Sequence, residues 1–356
     1  MLWERRDIVD NQNLKEDTRY LTLLSAVSCF AVVIMHANGC FWSFSATEPY
    51  WKTANVVESI CYFAVPVFYM VSGATLLDYP DRYSTKVFFE KRLKKVVLPF
   101  VAWSLTGLAF SCFVLKTIDA SIVGKKYILN SIAEASVVSY YWFFPPLICA
   151  YLCMPLFAAV EKEKRKTTFS YLAVAGYLIN SLIPLIKNLF FADLSFPFSI
   201  SVAGNPLIFI LTGYLLAHYD CSQKQKRCIY VLSAAALLVH MAGTYLLSMD
   251  AGVSVRTFKN PAISVPYAAG IFLLFKTYGN RIMDGALGKA VQFMKQYTFS
   301  IYLLHWFVIR GLNYLFSFNV NSIGYRFGMP FLIIPICVFL TMALRKLPVI
   351  RHIVPQ

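Results

Sequence analysis

The chain has 356 residues, 58% of them hydrophobic and only 14% charged, with a mean hydropathy of +0.58 and a formal net charge of +15. That composition lies far from the soluble average and requires lipid as solvent for much of the surface, which excludes an ordinary water-soluble enzyme or binding module. The positive excess does not point to nucleic acid. It falls in short clusters beside apolar runs, with no nucleic-acid-binding motif, where anchoring to anionic lipid accounts for it.

Residues 1–19 are polar and charged, and no short apolar segment with a small-residue cleavage site precedes the first long apolar run, so that run is expected to stay in the mature protein. Ten apolar runs follow, at residues 20–40, 56–77, 96–115, 137–159, 169–187, 200–217, 229–248, 262–276, 297–315 and 328–344. Each approaches the length that crosses about 30 Å of hydrocarbon at about 1.5 Å per residue. The longest polar connections are 41–55, 78–95 and 116–136, the last containing KKYILNSIAEAS, which reads as a short interfacial helix. No linker, repeat or low-complexity tract divides the chain. The expectation is a single all-α domain over residues 1–356, a polytopic bundle of about ten membrane helices.

Charge placement gives orientation, because short cytoplasmic loops collect Lys and Arg. With the N-terminus inside, 24 of the 33 basic residues fall on the cytoplasmic side, including Arg5, Arg6, Lys15 and Arg19 and the cluster from Arg82 to Lys95. Nine fall outside: Lys52, Lys116, Lys125, Lys126, Lys187, Arg256, Lys259, Arg310 and Arg326. Both termini are predicted to be cytoplasmic, in a multi-pass protein of a bacterial-type plasma membrane. The nine cysteines are scattered through apolar runs without paired CxxC spacing, so no metal site or disulfide framework is expected.

There is no Walker loop, no GxGxxG after a strand, no HExxH and no GxSxG, which argues against a nucleotide-driven pump, a dehydrogenase, a metalloprotease and a serine hydrolase. What stands out are polar groups in apolar context: His36 and Asn38, Glu58, Ser72 with Gly73, the basic stretch EKRLKK at 90–95, Trp142, Asn180, His240, and Tyr302 with His305. His36 is the most informative, since an ionisable imidazole in hydrocarbon is costly and normally faces a bundle interior or a watery cavity. About 16 residues from the start of its helix, it lies near 24 Å deep, in the outer part of the membrane. The competing reading is a structural histidine bonded within the bundle.

In order along the chain, VVIMH, VPVFYMVSGATLL (65–77), FFEKRLKKVVLPFVAWSL (88–105), YYWFFPPLICAYLCMPLF (140–157), ILTGYLL (210–216) and TFSIYLLHWFVI (298–309) resemble the acyltransferase 3 family of integral membrane O-acyltransferases. The resemblance runs from about residue 19 to the last span. It implies a bundle of about ten helices that moves an acyl group, often acetyl from cytoplasmic acetyl-coenzyme A, to a hydroxyl of a cell-envelope saccharide or lipid-linked saccharide. His36 matches the family's histidine closing the first helix and would act as general base, since a sugar hydroxyl needs one with a pKa near the operating pH.

Arg92 and Lys95, one helical turn apart beside the cytoplasmic mouth, are candidates to hold the phosphate-rich coenzyme, although positive-inside bias would place cations there in any case. Glu58 would orient an acceptor sugar or the imidazole, or is simply a solvated residue at a helix start. Trp142 resembles the family's tryptophan at the start of the fourth helix and would stack on a sugar, or belongs to an interfacial aromatic belt. Asn38, Ser72, Tyr302 and His305 complete the acceptor candidates, with packing the alternative for Ser72 and a bundle-facing structural role for His305. The family's acidic residue and arginine upstream of the histidine are replaced here by Thr22 and Ser25, and its histidine before the tryptophan by Tyr140 or Tyr141. A transporter or export component for a polysaccharide or glycolipid, with the same polar residues lining a path, is the reading from a different class.

Overall fold

The computed structural model describes residues 18–348 and 350–355; Arg5, Arg6 and Lys15 of the predicted cytoplasmic cluster lie outside the described residues. The described chain is helical, without a strand. In order its helices are α1 (Arg19–Ala37), α2 (Pro49–Cys61), α3 (Ala64–Leu76), α4 (Thr85–Arg92), α5 (Leu98–Phe113), α6 (Lys125–Ala133), α7 (Phe144–Ala158), α8 (Lys162–Tyr177), α9 (Ile183–Phe190), α10 (Leu207–His218), α11 (Gln223–Ala251), α12 (Pro261–Met283), α13 (Ala286–Lys295), α14 (Thr298–Leu315) and α15 (Ile323–Arg345).

All ten predicted runs are helical, and seven continuous helical stretches are long and apolar enough to cross a membrane unaided. The sixth run is the 12-residue α10, too short on its own. The ninth, α14, is diluted by His305, Arg310 and Asn313. The predicted helix in KKYILNSIAEAS is α6. The connection at 41–55 is shorter than expected, because α2 begins at Pro49 and runs through Tyr62–Phe63 into α3, making one 33-residue stretch from Pro49 to Asp81. The break falls four residues before Pro66, whose ring cannot donate to the Tyr62 carbonyl and would crowd it.

Two π turns have a similar cause. Leu93–Val97 joins α4 to α5 just before Pro99, and Leu178–Leu182 joins α8 to α9 just before Pro184. A wider turn absorbs the carbonyl that proline leaves without a donor. The first corrects the expected pairing of Arg92 with Lys95. Arg92 is half-buried, its guanidinium over the rings of Phe88 and Tyr151 at 5.7 and 5.5 Å, whereas the π turn carries Lys95 into an exposed position.

The middle of the bundle is built by α1, α3 and α10. Eight residues of α10 are buried, including Leu207, Ile210, Leu211 and Tyr214, so this helix is enclosed by protein. It crosses α3 at backbone contact: a Cβ on Gly73 would stand 2.0 Å from the Ile210 carbonyl oxygen, and one on Gly213 2.1 Å from that of Met70. Small residues permit this approach, and Ser72 beside them donates to the Phe68 carbonyl of its own helix at 3.0 Å. Asn180 is structural, donating to the Ile200 and Ala203 carbonyls and accepting from the Ile200 amide, which fastens the loop ahead of α10. His240 is buried with its ring edge-on to Tyr62, 4.9 Å between centroids.

Candidate active site

His36 stands in the last turn of α1, two residues before the helix gives way to the 3-10 segment Gly39–Trp42. Its ring lies flat on Tyr140, with centroids 3.4 Å apart and planes 14° from parallel. His305 of α14 stands behind both rings, 5.1 Å from His36 and 5.2 Å from Tyr140. The His305 Nδ1 is 3.0 Å from the Ile301 carbonyl oxygen, while its Nε2 is buried with no partner among the described residues.

Tyr140 is held from the backbone side. It belongs to the 3-10 segment Ser139–Phe143, where Tyr302 of α14 donates its hydroxyl to the Tyr140 carbonyl at 2.6 Å and Tyr141 donates to the Leu303 carbonyl at 2.6 Å. These two reciprocal bonds fix the platform under the imidazole. Tyr302 and His305 therefore position the site from behind.

His36 and Tyr140 both line a cavity of about 860 Å³, a volume suited to a group the size of a few sugar rings or a thioester arm. Tyr62, Trp42 and Trp142 supply aromatic wall, and Trp142, 51% exposed, leaves its indole available to a ligand. Glu58, Arg256, Lys259 and Arg310 supply charge. Glu58 is the one carboxylate lining the cavity among the described residues. It is buried in the body of α2 and ion-paired to Lys259, which corrects the expectation of a solvated helix-start glutamate. Lys259 sits above the rings of Phe41, Trp42 and Tyr62, and Arg256 above Trp42 at 4.5 Å.

Asn38 is turned away from the cavity. It is fully buried, donates to the Ala54 carbonyl at 2.9 Å, and accepts from Arg326 at 3.4 Å. Arg326 is 1% exposed and reaches also the Thr53 hydroxyl, at 2.8 Å, and the Tyr50 carbonyl. Together they lock the end of α1 to α2, which carries Glu58. Of the acceptor candidates, Glu58 and Trp142 line the cavity, whereas Asn38, Ser72, Tyr302 and His305 do not. Arg92 and Lys95 do not line it either.

Sequence reasoning missed the cavity residues Arg256, Lys259 and Arg310, along with Tyr140 as the platform. A signal existed. These cations are among the nine that run against the positive-inside bias, and a cation on the disfavoured side of a membrane needs a reason.

A helical bundle with seven stretches long and apolar enough to cross a membrane, and a cavity lined by one imidazole and several cations, is a multi-pass integral membrane protein with a candidate site among its helices. Residues 18–344 match the acyltransferase 3 family, described as an acyltransferase domain, and the chain belongs to that family. It is also 23% identical over 321 residues, 85% of this chain and 83% of the other, to a Bacillus subtilis (strain 168) protein named "Putative membrane-bound acyltransferase YfiQ". No solved structure matches it significantly. The protein is thus a membrane acyltransferase.

Proposed function

We propose that this acyltransferase moves an acetyl group from cytoplasmic acetyl-coenzyme A to a hydroxyl of a cell-envelope polysaccharide or glycolipid, with His36 as general base, in a bacterial plasma membrane with both chain ends cytoplasmic. The observation that carries this reading is that His36 lines the 860 Å³ cavity while its ring is stacked on Tyr140. A base that is accessible and immobilised meets the first requirement of proton transfer, a fixed reach to the hydroxyl.

In the reaction, His36 takes the acceptor hydroxyl proton as that oxygen attacks the thioester carbonyl carbon. The carbon–sulfur bond then breaks, and the imidazolium returns its proton to the departing coenzyme A thiolate. The new ester stays on the acceptor. Arg92 and Lys95, at the opposite end of the bundle, would grip the coenzyme phosphates there, so the thioester must enter along the bundle axis.

The test is incubation of purified protein in detergent with radiolabelled acetyl-coenzyme A and envelope saccharide. Label should move to the saccharide and stop moving on His36→Ala. Saccharide flux in reconstituted vesicles without ester formation would instead favour an export role.

A further inference from the structure

The His36 cavity holds more positive charge than its own carboxylate answers. Arg256, Lys259 and Arg310 line it, and Arg326 is buried just behind its wall. Glu58 matches Lys259, but Arg256, Arg310 and Arg326 have no carboxylate partner among the described residues. Arg256 and Lys259 crowd the same indole, each 4.5 Å from the centre of Trp42, where two like charges repel. Arg310 is exposed and also lines a second cavity of about 300 Å³. Cations facing low-dielectric walls focus their field into the space between them and draw counter-charge there.

We propose that the acceptor carries an oxyanion, a sugar carboxylate or a phosphate ester, held by Arg256 and Arg310 so that its hydroxyl is presented to His36. The exposed indole of Trp142 takes a sugar face. Guanidinium is suited to this work because its planar fork matches carboxylate and phosphate oxygens, and because it keeps its charge when partly desolvated. The Glu58–Lys259 pair spaces the cations without cancelling them. This inference rests on the cavity being the acceptor site of an acyltransferase.

The experiment measures binding, which does not require turnover. Calorimetry on the purified full chain and on its His36→Ala variant compares trigalacturonate with neutral galactotriose, and undecaprenyl diphosphate with undecaprenol. At least one anionic probe should bind about tenfold or more tighter than its neutral counterpart, a difference of about 1.4 kcal/mol, and the preference should shrink as sodium chloride is raised. A preference for trigalacturonate places the anion on the sugar, and one for undecaprenyl diphosphate places it on the carrier lipid. The double variant Arg256→Gln/Arg310→Gln should bring each pair to similar affinity, while Arg256→Lys/Arg310→Lys keeps part of the preference and shows that the fold survives. Equal binding of charged and neutral probes overturns the proposal, as does a preference that persists in the glutamine variant. So does a glutamine variant whose KM rises for acetyl-coenzyme A and not for acceptor. Absence of acetyl transfer to every acceptor, with the binding preference intact, sinks the acyltransfer reading and leaves the anion site standing.

Discussion

The two ends of the bundle use charge in opposite ways. Where α1 begins, several charges that join separate segments are matched: Arg19 with Asp284 at 2.7 Å, Lys162 with Asp81 at 2.5 Å, and Asp78 with both Arg165 at 2.5 Å and His218 at 2.9 Å. Arg165 also donates to the Val160 and Ala158 carbonyls and to the Tyr214 hydroxyl, so a single guanidinium gathers α3, α7, α8 and α10. Where α1 ends, fewer cations are present, yet Arg256 and Arg310 line a cavity with no carboxylate partner among the described residues, while Arg326 is buried behind it in hydrogen bonds to Asn38, Tyr50 and Thr53. Arg19, Lys162 and Arg165 each meet counter-charge supplied by the chain. Charge that faces an opening and lacks one is arranged for something that arrives.

That contrast can be broken from either side. The largest effect belongs to the cavity end: His36→Ala should lower acyl transfer by roughly a hundredfold to ten-thousandfold, the range of a positioned general base, with the unfolding midpoint nearly unchanged. At the other end Arg165→Leu should act on stability instead. It leaves Asp78 with His218 alone and strands two part-buried carbonyls, costing about 1–3 kcal/mol after allowance for the 26% exposure of the Asp78 side chain. A lower thermal midpoint in detergent, with unchanged KM in the surviving fraction, checks this.

Between the two ends, Gly213→Ala puts a methyl group against the Met70 carbonyl and should cost about 1–3 kcal/mol, read in the same melt. Tyr140→Ala removes the ring stacked on His36. A loss of about 0.5–1.5 kcal/mol of aromatic contact predicts a fall of up to about tenfold in kcat/KM. Tyr140→Phe should stay near wild type, because no hydrogen bond from the Tyr140 hydroxyl exists among the described residues. Lys162→Ala should do least. Its ion pair with Asp81 is about half exposed on both sides, and such pairs contribute about 0–1 kcal/mol. A large stability loss there would show that the matched end acts as one network.

His36 was legible in the sequence because an imidazole inside VVIMHANG has few innocent explanations, and Gly73 because small residues in a membrane helix mark close packing. Arg256 and Lys259 were not, since the loop between α11 and α12 reads as a bare connection until α2 folds against it. Tyr140 looked like one aromatic among many. Its role depends on Tyr302 reaching back across 162 residues to its carbonyl. Arg92 and Lys95 looked like neighbours on an ideal helix, and Pro99 altered the turn between them.

Residue order alone determined the lipid-facing class, the helical runs and the family, because apolar length and local motifs are properties of contiguous chain. Tertiary structure decided which polar groups share a cavity and which serve as fastenings. The reason is that a side chain's partners come from distant segments: Glu58 meets Lys259 only once the α11–α12 loop folds against α2, and Asn38 meets Arg326 only once α15 stands beside the end of α1.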